Sequence, residues 1–109
     1  MKKQLKSLLK ADMKLNTYKV YKHTSPSNKV YIGITSKSES NRWVDGMGYS
    51  KQPYFFRAIV KYGWINFKHE ILFDNLLKED AYDIETKLIK EFKSSDVNFG
   101  YNIHVGGYI

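Results

Sequence analysis

The segment Lys78–Lys93 carries a charged residue inside an apolar helical stripe, which limits how the chain can fold. Its apolar residues recur three and four positions apart, the spacing of one buried helix face, at Ala81, Ile84, Leu88, Ile89 and Phe92. Glu85 follows Ala81 by four positions, so at about 100° per residue it projects from the same face. Burying a carboxylate without a partner is very costly. We therefore expect Glu85 either to pair with a basic side chain of the core or to bind a metal ion.

The size and composition of the chain indicate one domain with one core. It has 109 residues, of which 42% are hydrophobic, and it contains no cysteine. The absence of cysteine excludes disulfides and cysteine-ligated zinc sites. No apolar run reaches the length of a membrane span, and the N-terminus lacks the continuous apolar core of a secretory signal. We therefore expect an intracellular protein with no membrane partner.

The charge of the chain favours a polyanionic partner. The formal net charge is +7, and in a small domain this balance points most simply to nucleic acid, although solubility alone can also account for it. Of the 18 basic residues only Arg42 and Arg57 are arginine. Because arginine offers a planar fork for phosphate oxygens, Arg42 indicates a place where geometry can matter, the alternative being an ordinary surface arginine. We interpret Arg57, on the exposed side of its predicted helix, as structural or as a contact to the nucleic-acid backbone.

The N-terminal residues 1–15 have the pattern of a lysine-rich amphipathic helix. Lysines surround a narrow apolar stripe formed by Leu5, Leu8, Leu9 and Met13. The helix can be docked on the core, which we favour, or it can be an additional phosphate-binding arm. We assign residues 1–16 to this basic helix and residues 17–109 to the domain proper.

Two alternating segments, Thr17–His23 and Lys29–Thr35, predict a β-hairpin closed by the turn-rich Thr24–Asn28. Alternation places Tyr21 and Tyr31 on the same, more polar face of the hairpin, within cross-strand reach if the register allows. Gly33 lies beside them and leaves room for a group to approach the backbone. The alternative for both tyrosines is ordinary cross-strand packing.

The remaining pattern predicts an α/β (α+β) domain with a small, mainly antiparallel, three-stranded sheet flanked by helices. Residues 41–44 suggest a short helical turn, and a helix should begin near Pro53 and end at Gly63. Phe67–Phe73 reads as the third strand, and Tyr101–Val105 as a last short strand or extended stretch. The three histidines, His23, His69 and His104, lack metal-ligand spacing. We interpret His69 as a strand residue, with contact to the substrate as the alternative.

Five elements in this order resemble the motifs of the GIY-YIG nuclease family. The first is Lys19-Val20-Tyr21, which departs from the family pattern at its glycine, and the second is a complete Tyr31-Ile32-Gly33. The others are the arginine, glutamate and asparagine that match Arg42, Glu85 and Asn102. The resemblance covers roughly residues 17–107. The segment Ala58–Phe67 also looks like a core segment of phage and homing-type members.

The resemblance implies a GIY-YIG nuclease fold and a role for each matching residue. One of the two tyrosines would take a proton from the attacking water, and the resemblance does not settle which; we assign this role to Tyr21 and the orientation of the water or the phosphate to Tyr31. Asn102 would be a structural member of the site. Arg42 would bind a phosphate oxygen. Many members carry a His or Tyr shortly after the arginine; here that role is either absent or filled by Tyr49, which we expect. Contacts to the DNA backbone are expected from Lys19, Lys29, Lys37, Lys51 and Arg57.

The expected activity is that of a divalent-metal-dependent DNA endonuclease in the cytoplasm of a bacterial or phage-infected host. Glu85 would supply one oxygen ligand to Mg²⁺ or Mn²⁺, because Mg²⁺ binds one or two carboxylates together with waters and substrate phosphate. One alternative is a non-catalytic nucleic-acid-binding module that retains the nuclease fold. Another is an accessory protein that uses its basic N-terminal helix to bind a protein. Long target sites would require a further DNA-binding domain, a partner or dimerisation.

Overall fold

The computed structural model describes residues 17–103, in which three strands and three α-helices form an α+β domain. The strands are β1 (Tyr18–Thr24), β2 (Val30–Thr35) and β3 (Lys68–Leu76), and the helices are α1 (Glu39–Trp43), α2 (Pro53–Tyr62) and α3 (Lys78–Phe92). Short 3₁₀ segments span Val44–Tyr49 and Trp64–Asn66. The expected fold class is confirmed. The helix predicted for residues 1–16, and His104, lie outside the described residues.

The sheet is a three-stranded antiparallel sheet in the order β2-β1-β3. The hairpin between β1 and β2 is as predicted, and its turn ends at Asn28, whose φ of 66° is left-handed. Strand β3 is longer than predicted, because it continues past Phe73 to Leu76. The extension depends on a shift in the β1–β3 register around Val20, a long-range irregularity that the local pattern does not contain.

Two hydrophobic clusters lie on opposite faces of the β1–β2 hairpin. The first, here called the aliphatic cluster, is formed by Val20, Ile32, Ile34, Ala81 and Ile89. The second, here called the aromatic cluster, is formed by Tyr21, Tyr31, Tyr49, Phe55, Ala58, Ile59, Phe67 and Tyr101. Period-2 alternation separates the two sets correctly. The expectation of a polar second face was wrong, because α2 and the 3₁₀ segments cover that face with a second core.

Helices α2 and α3 follow their local sequence signals closely. Pro53 occupies the first turn of α2, where its missing N–H costs nothing, and Gly63 ends the helix with a φ of 85°. Helix α3 buries Ala81, Glu85 and Ile89. These three residues follow one another at intervals of four positions, so Glu85 lies at the centre of the buried stripe as predicted.

The chain after α3 returns to the free edge of β2. Val30 N–H donates to the Phe99 carbonyl (3.1 Å), and Tyr101 N–H donates to the Val30 carbonyl (2.9 Å). These bonds form a single parallel bridge, and Tyr101–Ile103 forms no strand. No helix within residues 17–103 is both long and apolar enough to span a bilayer.

Candidate active site

Tyr21 and Tyr31 lie side by side on the hairpin, and both are buried. In the β1–β2 register Tyr21 is opposite Gly33 and Tyr31 is opposite His23, so the two tyrosines are diagonal neighbours. Each is only 1% exposed. Tyr31 stacks on Phe55 of α2, with ring centroids 4.4 Å apart. The hydroxyl groups therefore act inside a desolvated cluster and not on an open polar face.

Gly33 makes room for the Tyr21 ring itself. A Cβ atom built on Gly33 would lie 2.5 Å from both Cζ and Oη of Tyr21. Such an approach is too close for any side chain, so only glycine lets the tyrosine lie flat across β2 at this position. The group that approaches the backbone at Gly33 is therefore the ring of Tyr21, its cross-strand partner.

Tyr49 joins Tyr21 to the interior of the aromatic cluster. It is the last residue of the 3₁₀ segment and is fully buried. Its hydroxyl donates to the Tyr21 hydroxyl at 3.0 Å and lies 2.8 Å from His23 Nε2. The structure thus brings Tyr49, expected only from its position after Arg42, into direct contact with the candidate base.

Two histidines extend this hydrogen-bonded chain to β3. His23 is fully buried, and its Nδ1 lies 2.8 Å from His69 Nδ1. His69 Nε2 lies 3.1 Å from the Trp64 carbonyl oxygen, which can only accept a hydrogen bond. Sequence reasoning treated both histidines as strand residues and missed this connection. The signal was available, because His23 follows Tyr21 by two residues and therefore shares its face.

Arg42 is held against Tyr49 at the C-terminal end of α1. Its guanidinium carbon lies 4.4 Å from the centroid of the Tyr49 ring, and Nη1 donates to the Gly48 carbonyl at 2.8 Å. Although the residue is only 8% exposed, its Nε has no hydrogen-bond partner among the described residues. Arg42 therefore combines a fixed cationic group with an unused donor.

Burial favours the protonated forms of the Tyr21, Tyr31 and Tyr49 hydroxyl groups. Desolvation raises the pKa of Tyr21, although Arg42 and the Tyr49 hydrogen bond oppose it, and burial raises the pKa values of Tyr31 and Tyr49 strongly. For Arg42, burial alone would lower the pKa, but Tyr21, Tyr49 and Tyr31 raise it overall. The guanidinium thus stays charged beside neutral tyrosines.

Glu85 places a carboxylate within electrostatic reach of the same tyrosines. It is 1% exposed, and its negative charge raises the pKa values of both Tyr21 and Tyr31. Within residues 17–103 no group of three or more His, Asp or Glu side chains is arranged to hold a metal ion. A hard cation that binds with its own waters and substrate needs no such group, so one carboxylate fits this use chemically.

Asn102 has a structural position at the edge of β2. Its side-chain Oδ1 accepts from Ile32 N–H at 2.9 Å, and its Nδ2 donates to the Ile32 carbonyl at 2.8 Å. The amide therefore imitates one residue of a neighbouring strand. Since Ile32 lies between Tyr31 and Gly33, Asn102 fixes the backbone that carries the second motif.

The expected DNA-contacting residues divide into three groups. Lys37 and Lys51 line a cavity of about 390 Å³ together with Arg42, Thr35 and Gln52.

Lys29 and Arg57 line a different and smaller depression of about 160 Å³. Lys19 forms an ion pair with Glu39, with Nζ and Oε1 3.2 Å apart. Only Lys37 and Lys51 are thus brought together with Arg42, and the contacts of all five residues with DNA stay predictions.

Comparison with known proteins gives one relative. The chain is 33% identical over 93 residues to a protein of Enterobacteria phage T4 named "Putative endonuclease segD". The match covers 83% of this chain and 39% of the phage protein, so the chain spans about two fifths of that relative's length. No family model and no solved structure matches. The chain is therefore similar, over most of its length, to part of a phage protein that is named as an endonuclease.

Proposed function

We propose that the protein is a DNA endonuclease that depends on a divalent metal ion and uses a GIY-YIG-type site. The observation that carries the proposal is the buried contact of Tyr21, Tyr49 and Arg42, close enough to Glu85 for its charge to act on Tyr21. The name of the phage relative supports nuclease activity in general. The five motif residues in their expected order support the finer assignment.

Arg42 is suited to hold the phosphodiester. Its Nη1 donates to the Gly48 carbonyl, which fixes the plane of the guanidinium, and its Nε has no hydrogen-bond partner among the described residues. Hydrogen bonds from a charged donor to phosphate oxygens are roughly twice as strong as neutral ones. Arg42 would therefore orient the phosphate and stabilise the charge that develops on its oxygens during attack.

Tyr21 is the candidate general base and Tyr31 the candidate orienting group. Tyr21 is hydrogen-bonded to Tyr49 and lies near Arg42, whose charge favours the phenolate. In the proposed reaction Tyr21 acts as the phenolate: the water oxygen bonds to phosphorus while its proton passes to the Tyr21 oxygen, the phosphorus–oxygen bond to the leaving nucleotide breaks, and the leaving oxygen takes a proton from solvent. Tyr31 lies beside Tyr21 and outside its hydrogen-bond chain, so we assign it to orientation.

Glu85 would hold the Mg²⁺ or Mn²⁺ ion. When bound, the ion would supply charge neutralisation at the phosphate, a contribution that neither tyrosine can make. The single carboxylate suits a metal that arrives with substrate and water ligands.

The activity test uses the full chain with several substrates under three metal conditions. Supercoiled plasmid, branched DNA, single-stranded DNA and RNA are each incubated with Mg²⁺, with Mn²⁺ or with EDTA. We expect DNA cleavage with either metal and none with EDTA. If folded protein binds DNA but cleaves no substrate under any condition, the non-catalytic binding module replaces the nuclease.

DNA affinity should also fall steeply as salt is raised. Most basic residues are lysine, and the affinity of phosphate contacts decreases with salt because counterions are released on binding. Binding measured by fluorescence anisotropy between low and physiological ionic strength should show this slope, with little dependence on base sequence. An affinity that does not change over this range would argue against nucleic acid as the partner.

A further inference from the structure

We propose that Tyr49, His23 and His69 form a proton relay that carries the hydroxyl proton of Tyr21 to His69. The proposal rests on the proposed nuclease function, because it concerns how Tyr21 becomes able to accept a proton from water. It assigns a role to His23 and His69, which the motif residues do not include.

The relay follows from counting hydrogen-bond donors. Four contacts connect Tyr21 to the Trp64 carbonyl through Tyr49, His23 and His69, at distances of 3.0, 2.8, 2.8 and 3.1 Å. The carbonyl can only accept, so His69 Nε2 must carry a proton. If all four side chains are neutral, each has one N–H or O–H to donate. Every bond then points in one direction, from the Tyr21 hydroxyl towards the Trp64 carbonyl.

The hydrogen bond between Tyr49 and Tyr21 has the opposite direction, because the Tyr49 hydroxyl donates to the Tyr21 hydroxyl. The Tyr49 oxygen must then accept from His23 Nε2–H, and His23 Nδ1 must accept from His69 Nδ1–H. His69 consequently carries protons on both nitrogens. For the same number of protons, this second arrangement is a Tyr21 phenolate with a His69 imidazolium, so the two states differ in where the protons of these four side chains lie.

The two states are related by three proton transfers. The Tyr21 O–H bond breaks as an O–H bond forms on Tyr49, whose own O–H bond breaks as an N–H bond forms at His23 Nε2. The His23 Nδ1–H bond then breaks as an N–H bond forms at His69 Nδ1. The Tyr21 phenolate takes a proton from the attacking water, His69 releases its extra proton to solvent, and the leaving oxygen takes a proton from solvent.

The surroundings favour His69 over His23 as the place where the proton rests. His23 is fully buried, whereas His69 is partly exposed. Burial, His69 and Arg42 all lower the pKa of His23, well below its ordinary value, whereas burial lowers the pKa of His69 against the opposing effect of the hydrogen bond to the Trp64 carbonyl. Arg42, Glu85 and Tyr31 are the other charged or titratable groups that act on Tyr21 or border it. The chain thus connects a buried hydroxyl group to a partly exposed imidazole.

The alternative is that these side chains only satisfy one another's polar atoms in a buried cluster. Both readings predict some loss of stability when a member is removed, so stability alone does not distinguish them. The relay also predicts that members without direct contact affect each other, so that a change at Tyr49 alters the titration of His69. Tyr101→Phe is the matched control, because it removes another buried hydroxyl of the aromatic cluster, which donates to Ser25 Oγ at 2.8 Å, without touching the relay.

The first measurement needs neither metal nor DNA. The His69 imidazole is titrated by ¹H–¹⁵N NMR in the full chain, in Tyr49→Phe and in Tyr101→Phe. Without the Tyr49 oxygen, protonating His69 would leave the buried His23 Nε2–H without an acceptor. The midpoint of the His69 titration should therefore fall by about one pH unit in Tyr49→Phe, and it should not change in the control. An unchanged midpoint in Tyr49→Phe overturns the relay.

The second measurement is single-turnover DNA cleavage at saturating metal and protein. Tyr49→Phe and His69→Gln should each slow cleavage by about 10²-fold, the lower end of acid–base contributions, with DNA affinity nearly unchanged. The double variant should be no slower than the slower single variant, since one break already interrupts the chain. His69→Gln keeps an N–H donor for the Trp64 carbonyl, so a structural role would be rescued by Gln but not by Ala.

The two measurements separate failure of the relay from failure of the nuclease function. If the unmodified chain cleaves DNA and Tyr49→Phe cleaves equally fast, the relay is wrong and the nuclease stands. If the unmodified chain cleaves nothing while Tyr49→Phe still shifts the His69 titration, the hydrogen-bond chain exists but the nuclease function, and with it the catalytic role of the relay, is wrong. The relay is also overturned if the double variant is slowed by the product of the factors measured for Tyr49→Phe and for His69→Gln.

Discussion

The two faces of the hairpin are both buried, but they are built from different chemistry. The aliphatic cluster under α3 consists of Val, Ile and Ala, and its contacts are non-directional. The aromatic cluster consists largely of Tyr and Phe side chains, and its Tyr49 hydroxyl hydrogen-bonds to Tyr21 and to the imidazole of His23. In the first cluster a side chain needs only the right volume. In the second, each polar atom needs a partner in a particular direction.

This difference indicates how a chain of this size can combine stability with a fixed site. The aliphatic cluster anchors α3 to the sheet through burial of apolar area. The aromatic cluster holds the candidate catalytic groups in place by ring packing on several sides. Glu85 connects the two, because it shares the buried stripe of α3 with Ala81 and Ile89 while its charge acts on Tyr21 and Tyr31.

The largest effect should come from Glu85, the charged member of the aliphatic side. We expect Glu85→Gln to reduce cleavage below detection while the melting temperature changes little, because the amide keeps the shape of the side chain but not its charge. Glu91→Gln is the control, since it removes the same charge from an exposed position of α3. If Glu85 instead serves a buried ion pair, Glu85→Gln should cost about 3–5 kcal/mol of stability and leave the folded fraction active.

The next largest effect should separate the two tyrosines of the aromatic side. Tyr21→Phe removes the candidate base but keeps the ring, so single-turnover cleavage should slow by about 10²–10⁴-fold with DNA affinity nearly unchanged. Tyr31→Phe should slow cleavage by about tenfold at most, the equivalent of one neutral hydrogen bond. A greater loss in Tyr31→Phe would reverse the assigned roles, and full activity in both variants would make them packing residues.

A third comparison uses adjacent residues of β2 that face opposite clusters. Ile32→Ala should cost about 2–5 kcal/mol of stability in urea unfolding and leave the folded fraction active. Gly33→Ala should cost less, about 1–3 kcal/mol, but it displaces the Tyr21 hydroxyl, and a misplacement near 1 Å can cost about 10²-fold in rate. If the ratio of rate loss to stability loss were the same in Ile32→Ala and in Gly33→Ala, the division of roles between the aliphatic and the aromatic cluster would be wrong.

The smallest effect concerns pH and stability. Burial lowers the pKa of His23 well below its ordinary value of 6.5, so below pH 6.5 the unfolded chain binds a proton that the folded chain does not. Stability should therefore decrease as pH falls from 6.5, and His23→Phe should weaken this decrease because it removes the titrating group. Melting temperatures between pH 7.5 and about 5 measure it. A pH profile in His23→Phe that is as steep as in the unmodified chain would exclude His23 as the cause.

Local signals predicted most of the fold, but not what covers each surface. The stripe of α3, the hairpin and the stop at Gly63 depend on residues a few positions apart, and all three were predicted. The length of β3 depends on a register shift against β1, which is a long-range property. For the same reason the face that carries Tyr21 was taken as polar, since alternation separates the faces without showing which elements pack on them.

The candidate site shows the same limit. Tyr21, Arg42 and Tyr49 could be selected from motif order, but their contact depends on how the 3₁₀ segment folds back over the sheet. His23 shares a face with Tyr21, yet its connection to His69 requires the pairing of β1 with β3, where the two histidines are directly opposite. Residue type and spacing therefore identified candidates, and tertiary structure determined which of them are neighbours.

The side chain of Asn102 has a consequence for the solubility of the protein. Strand β2 is at the edge of the sheet, and an edge strand with free N–H and C=O groups invites pairing with a second chain. The bridge at Val30 and the amide of Asn102 occupy those groups at Val30 and Ile32. The backbone bridge and the Asn102 side chain thus take the place of a fourth strand at these two residues, and they oppose intermolecular sheet growth along this part of the edge.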